Sequence, residues 1–145
     1  MSDTTPATSP ADAVRAVAGD EKALLALWHR EHTRSLWQDT LDKADTTDDP
    51  ENTRRIAAGA IAEVADSTPL HALAANAELV TLLTGRRWFV MRDAREQGSS
   101  WDEIGAALGI SGDDARAYYE RKIELQELHV GDLHDAARAR RALDD

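Results

Sequence analysis

Two sets of side chains along this chain have types and spacing that could do chemistry. The first is basic: Arg86, Arg87, Arg92, Arg95, Arg116, Arg121 and Lys122 all fall within residues 85–125. Guanidinium and ammonium groups displace counterions from phosphate, the sequence-independent part of nucleic-acid binding. The second set is a histidine pair, His29 and His32, flanking Glu31 in Trp28-His-Arg-Glu-His32. Their i, i+3 spacing puts both imidazoles on one side of a helix. A structural zinc takes four ligands, and no second group stands at a metal-like spacing. Two surface or partly buried histidines are therefore expected, with no metal and no cofactor. His129 and His134 straddle Gly131 and carry less still. There is no cysteine, no glycine-rich phosphate loop, no serine elbow and no paired acids in an identifiable pocket. Ser99-Ser100 are accounted for by helix capping. The chain is not expected to be an enzyme.

The same window contains the most informative run, Gly98 to Tyr119. Ser100 and Glu103 form a capping box, the hydroxyl and the carboxylate each satisfying a backbone N–H at a helix start. Trp101, Ile104 and Leu108 share one face. They are expected to pack on the following helix and on the preceding one, which carries Phe89 and Val90. Gly105 is small where a second helix must cross closely. Gly109 follows the helix, where a left-handed backbone suits glycine. Ile110 is expected to point back into the core, and Ser111 to cap a second helix with Asp114 as its box partner. Ala115 and Tyr118 are expected to face inward. These offsets describe a helix-turn-helix; the alternative is an ordinary helical corner used only for packing. The residues expected at a DNA surface are Ser111, Gly112, Asp113, Arg116, Arg121 and Lys122.

The stretch from Val90 to Lys122 resembles the sigma-factor-region-4-like helix-turn-helix domains of small actinobacterial DNA-binding proteins. The likeness is carried by Ala94-Arg95-Glu96-Gln97-Gly98-Ser99-Ser100-Trp101 leading into Ile104-Gly105-Ala106-Ala107-Leu108-Gly109-Ile110-Ser111. It implies a DNA-binding transcriptional role, with the helix from Gly112 onward as recognition helix. Such domains usually place Arg, Gln or other polar donors just after the capping serine, and here Gly112, Asp113 and Asp114 stand there. Two carboxylates complement the helix dipole but would repel phosphates, although Asp can accept from a cytosine amino group.

The elements that must position this segment follow from punctuation. Each proline follows a residue able to cap a helix: Thr5-Pro6, Ser9-Pro10, Asp49-Pro50 and Thr68-Pro69. Proline suits the first helical position, where its missing N–H costs nothing. Helices are expected after Ser9, from about Glu21 to Ala44, from Pro50 to Ala65, and from Pro69 to about Gln97. Ile56, Ala60, Ile61 and Val64 mark one face of the third, and Gly85 marks a bend or break in the fourth. Two short helices follow, then a final one from Gly131-Asp132 to near Leu143. No strand-period run is convincing, so the fold class is all-α: a small helical protein with a C-terminal helix-turn-helix. Residues 1–10 are read as a disordered tail that includes Thr5-Pro6. Residues 11–84 form an N-terminal helical region for assembly or signal input, 85–125 the helix-turn-helix region, and 126–145 a C-terminal helix.

Composition bounds the reading. The chain has 145 residues, is 42% hydrophobic and 30% charged, and its apolar set is mostly Ala and Leu; this suits helices packing closely. No apolar run reaches the length of a membrane span, and Met1 to Pro10 has neither a basic start nor an apolar core, so no secretory signal or membrane partner is expected. The cytoplasm is the default. The net charge is −10, unusual for a nucleic-acid binder. Residues 1–84 carry 7 basic and 14 acidic groups, 85–125 carry 7 and 8, and 126–145 carry 3 and 5. Residues 85–125 are thus the least acidic part, though they are not basic. The run Asp39, Asp42, Asp45, Asp48 and Asp49 reads as a solvated face, or else as a dock for a basic partner. Trp28 and Trp37, with Leu24, Leu25, Leu27, Leu36 and Leu41, read as core or as a homodimer face. The expected function is a DNA-binding transcriptional regulator; the alternative is a protein-interaction module, a co-regulator or antagonist, that keeps the shape with little DNA affinity.

Overall fold

The computed structural model describes residues 8–130 and 135–144. Their regular structure is entirely helical: α1 (Pro10–Ala16), α2 (Glu21–Asp42), a 3₁₀ turn (Ala44–Thr46), α3 (Pro50–Glu63), α4 (Pro69–Glu96), α5 (Trp101–Leu108), α6 (Gly112–Val130) and α7 (Ala136–Arg141). The fold class is all-α, as the composition and punctuation indicate. Ser9 accepts from the Asp12 N–H and Asp49 from the Asn52 N–H, each with proline at the next position. Thr68 does the same for α4, accepting from the His71 N–H at 3.4 Å. Asp20 caps α2 through the Ala23 N–H at 3.0 Å.

Three expectations are revised. α4 runs through Gly85 without a break, because nothing in the surroundings forces the backbone out of the helical basin there. α6 is a helix of 19 residues rather than a short one, since neither Gly nor Pro interrupts 113–130. α7 begins at Ala136, with Asp135 accepting from the Arg138 N–H. The expected start at Gly131-Asp132 lies outside the described residues, as do His134 and Thr5-Pro6.

The chain divides into two compact units with the boundary between Leu82 and Leu83, inside α4. In the N-terminal unit α2 lies against α3 and the 3₁₀ turn. Leu24, Ala44, Ala57 and Ala75 are buried there. Glu31 is buried as well, forked by the Arg34 guanidinium at 2.6 and 2.8 Å. The interior of α3 centres on Ala57, with Ala60, Ile61 and Val64 half-buried and Ile56 exposed. In the C-terminal unit Met91, Trp101, Ile104, Ala115, Tyr119, Ile123, Ala139 and Ala142 form one core, with Trp88, Ala94, Leu108, Tyr118 and Leu143 packed against it. No helix among the described residues is long and apolar enough to cross a membrane.

Candidate functional site

Gly98, with φ +94°, turns the chain out of α4. Ser100 then starts α5 with a reciprocal capping box: the Glu103 N–H donates to the Ser100 hydroxyl at 3.1 Å, and the Ser100 N–H donates to the Glu103 carboxylate at 2.7 Å. That backbone N–H, with the Ser100 hydroxyl, holds the Glu103 carboxyl below its ordinary range. Gly109 closes α5 at φ +71°, and the Ile110 N–H donates to the Gly105 carbonyl at 2.9 Å. Ser111 accepts from the Asp114 N–H at 3.0 Å and so caps α6. Of the expected reciprocal box at Ser111, only this hydroxyl half is made.

The approach of α5 to α6 depends on two glycines. A Cβ on Gly105 would lie 2.7 Å from the Ser111 carbonyl carbon and oxygen and 2.8 Å from the Gly112 nitrogen. A Cβ on Gly112 would lie 2.9 Å from the Asp102 backbone nitrogen and closer still to its carboxylate. Real Cβ atoms do not come that near to backbone, so both positions need hydrogen as side chain. Gly105 is the close crossing point read from the sequence. Asp102, set against the first turn of α6, was not singled out there. The visible signal was the need for a residue without a side chain directly after the Ser111 cap.

Several inward positions differ from expectation. Tyr119, not Tyr118, is fully buried. Its ring lies 5.5 Å from that of Trp101, and its hydroxyl donates to the Ala139 carbonyl at 2.8 Å. Burial pushes its pKa up to about 12. Tyr118 is half-buried, its hydroxyl 3.3 Å from the Thr84 carbonyl, with Arg87 and Lys122 each 5.6 Å from its ring centre. The interior of α6 follows 115, 119 and 123, a repeat of four rather than three. Ile110 is 42% exposed, so the turn is held by its backbone and not by an apolar anchor. From α4 it is Trp88, Met91 and Ala94 that meet this core, while Val90 is 58% exposed.

The candidate residues fall into two groups. Ser111 at the cap of α6 and Asp113, Arg116 and Arg121 on it are exposed, whereas Gly112 is buried and Lys122 is half-buried over Tyr118. Arg116 donates to the Leu143 carbonyl at 3.0 Å. The basic residues of α4 are engaged as well. Arg95 donates to the carbonyls of Ala142 at 3.0 Å, Ser99 at 2.9 Å and Asp144 at 2.6 Å, with its guanidinium 5.3 Å from the Trp101 ring centre. Arg92 pairs with Asp93 at 2.8 Å and stacks on Trp88. Arg138 forks Glu96 at 2.6 Å and holds its carboxyl below the ordinary range. The exposed side chains of α6 from Asp113 to Glu124 thus include four carboxylates (Asp113, Asp114, Glu120, Glu124) and two guanidiniums (Arg116, Arg121).

In the other unit, His29 and His32 are both exposed, and the His32 ring stacks on Trp28 with centroids 6.4 Å apart. No group of three or more His, Cys, Asp or Glu among the described residues is arranged to hold a metal ion. Comparison with protein-family models, with curated proteins and with solved structures found no match to this chain.

Proposed function

We propose that the protein is a DNA-binding transcriptional regulator that uses α5 and α6 as a helix-turn-helix, with α6 as the helix offered to the major groove. The observation that carries the reading is the close crossing at Gly105 and Gly112. It sets two capped helices around a short turn and leaves the Ser111 end of α6 and the Arg116 and Arg121 side chains at the surface. In a helix-turn-helix the first turns of the second helix reach base edges while flanking groups hold phosphate. Arg116 then reads a base or a phosphate, Arg121 and Lys122 lie along the backbone, and Asp113 sets a preference for cytosine through its amino group. Contact through Arg116 requires it to exchange the Leu143 carbonyl for DNA. Two half-sites call for two copies, and the exposed Leu25, Trp28 and Leu36 of α2 supply an apolar stripe for self-association.

A second reading has its own observation. The excess of carboxylates on the exposed face of α6 suits a basic protein partner better than phosphate, which would make the unit a co-regulator or antagonist with little DNA affinity. Two substitutions separate the readings. On DNA, Arg116→Ala should cost about 1–3 kcal/mol if that side chain reads a base. Asp113→Gln should raise general affinity by removing a charge that faces phosphate. Unchanged DNA binding in both variants at low salt assigns the face to a protein partner.

A further inference from the structure

The N-terminal unit holds a cavity of about 290 Å³ that lies apart from the residues discussed so far. Leu27 and Ala13 supply its apolar wall, and Arg30, Asp66, Ser67 and His71 its polar wall. At roughly 30 Å³ for each water-sized group it has room for about ten heavy atoms. We propose that it binds a small monocarboxylate with a short apolar body, the carboxylate on Arg30 and Ser67 and the hydrocarbon against Leu27 and Ala13.

Three features specify an anionic head. Among the described residues Arg30 pairs with Asp66, whose side chain is 75% exposed. An exposed ion pair of this kind is weakly held, so a ligand carboxylate can take the place of Asp66 on the guanidinium. Ser67 is 7% exposed, and its hydroxyl has no hydrogen-bond partner among the described residues. A buried donor left without an acceptor is costly, and a carboxylate oxygen in the cavity removes that cost. Ser67 and His71 also flank the start of α4, a helix of 28 residues, whose dipole favours negative charge at that end.

His71 gives the wall its shape. Its Nε2 lies 3.0 Å from the Thr8 carbonyl, which can only accept, so Nε2 carries the proton. Its Nδ1 lies 2.8 Å from the Thr68 hydroxyl. With both ring nitrogens committed, the imidazole holds the segment entering α1 across the cavity and has no free nitrogen for proton transfer. The site binds rather than reacts. Leu27 and Ala13 exclude a fully hydrated inorganic anion, which would leave the apolar wall uncovered. The assignment stands whether or not α6 contacts DNA.

Calorimetric titration of the full chain with butyrate, butyramide and inorganic phosphate tests it. Butyrate should bind roughly tenfold or more tightly than either of the others, the size expected for a charge-assisted hydrogen bond. Arg30→Gln should weaken butyrate by a similar factor, and Asp66→Asn, which removes the competing carboxylate, should tighten it. Leu27→Trp, which fills the cavity, should abolish binding with the helical circular dichroism unchanged. Butyramide binding as well as butyrate, phosphate binding more tightly than either, or butyrate indifferent to both Asp66→Asn and Leu27→Trp would each overturn the proposal, as would no binding of butyrate at all.

Discussion

Replacing Gly105 by alanine tests the α5–α6 crossing with a single methyl group. Alanine is the better helix former by about 1 kcal/mol, so in an open helix the change stabilises. At Gly105 the new Cβ meets the Ser111 carbonyl and the Gly112 nitrogen at 2.7–2.8 Å. These are backbone atoms that cannot rotate aside, and overpacking of this kind costs typically about 1–3 kcal/mol. Contacts this short to three backbone atoms belong at the upper end of that range, so the steric cost wins and leaves Gly105→Ala about 1–2 kcal/mol less stable than the parent. Gly85→Ala is the internal control: it lies on α4 in the same unit, and its Cβ would meet nothing within 4 Å. It should stabilise by up to about 1 kcal/mol. Melts followed by tryptophan fluorescence, in a background with Trp28 and Trp37 changed to Phe, report Trp88 and Trp101 of this unit. Each kcal/mol moves the midpoint of so small a unit by roughly 4–8 °C, so the two variants should part in opposite directions. A Gly105→Ala midpoint at or above the parent's would refute the close crossing.

Tyr119→Phe should lose about 0.5–1.5 kcal/mol by leaving the Ala139 carbonyl unpaired. It should also remove an alkaline transition. The folded pKa is raised, so the contribution of Tyr119 is fully present below pH 10 and is lost as pH rises toward about 12. Parent and variant melts compared across that window check the sign. Deleting residues 143–145 removes the carbonyls that hold Arg116 and one of those holding Arg95. The deletion should raise DNA affinity at low salt, read by fluorescence anisotropy, and unchanged affinity would mean that these contacts do not compete with DNA. Sedimentation at micromolar concentration should show a dimer that Trp28→Glu with Leu36→Glu converts to a monomer; a parent monomeric throughout that range removes the two-half-site arrangement.

The local features of this fold were legible because they are written in adjacent residues. A cap needs only a short side chain and a free N–H a few positions on, so Ser9, Asp49, Thr68, Ser100 and Ser111 could each be read directly. Gly105 was legible for a related reason: a small residue just ahead of a glycine turn has few other uses. Helix phase was harder. Whether Tyr118 or Tyr119 is interior, or Val90 or Met91, turns on one step of 100° around the helix, and aromatic and apolar residues occupy both choices. The engagement of the arginines was illegible. Arg95 meets carbonyls 47 and 49 positions away and Arg116 one 27 away, separations that no local pattern records. The N-terminal cavity has the same origin, since Arg30, Asp66 and the Thr8–His71 contact come together only when α1, α2 and the start of α4 are in place.

The proposed contact of α6 with DNA through its guanidinium groups is tested most directly by the salt dependence of binding. Equilibrium titration of the protein on genomic DNA fragments across a series of salt concentrations should give a log affinity that falls linearly with log salt. Each phosphate contact contributes about 0.9 to the slope, so Arg121→Ala should flatten the line by roughly one unit. Binding that is absent at the lowest salt, or present with a slope that Arg121→Ala leaves unchanged, would contradict the account.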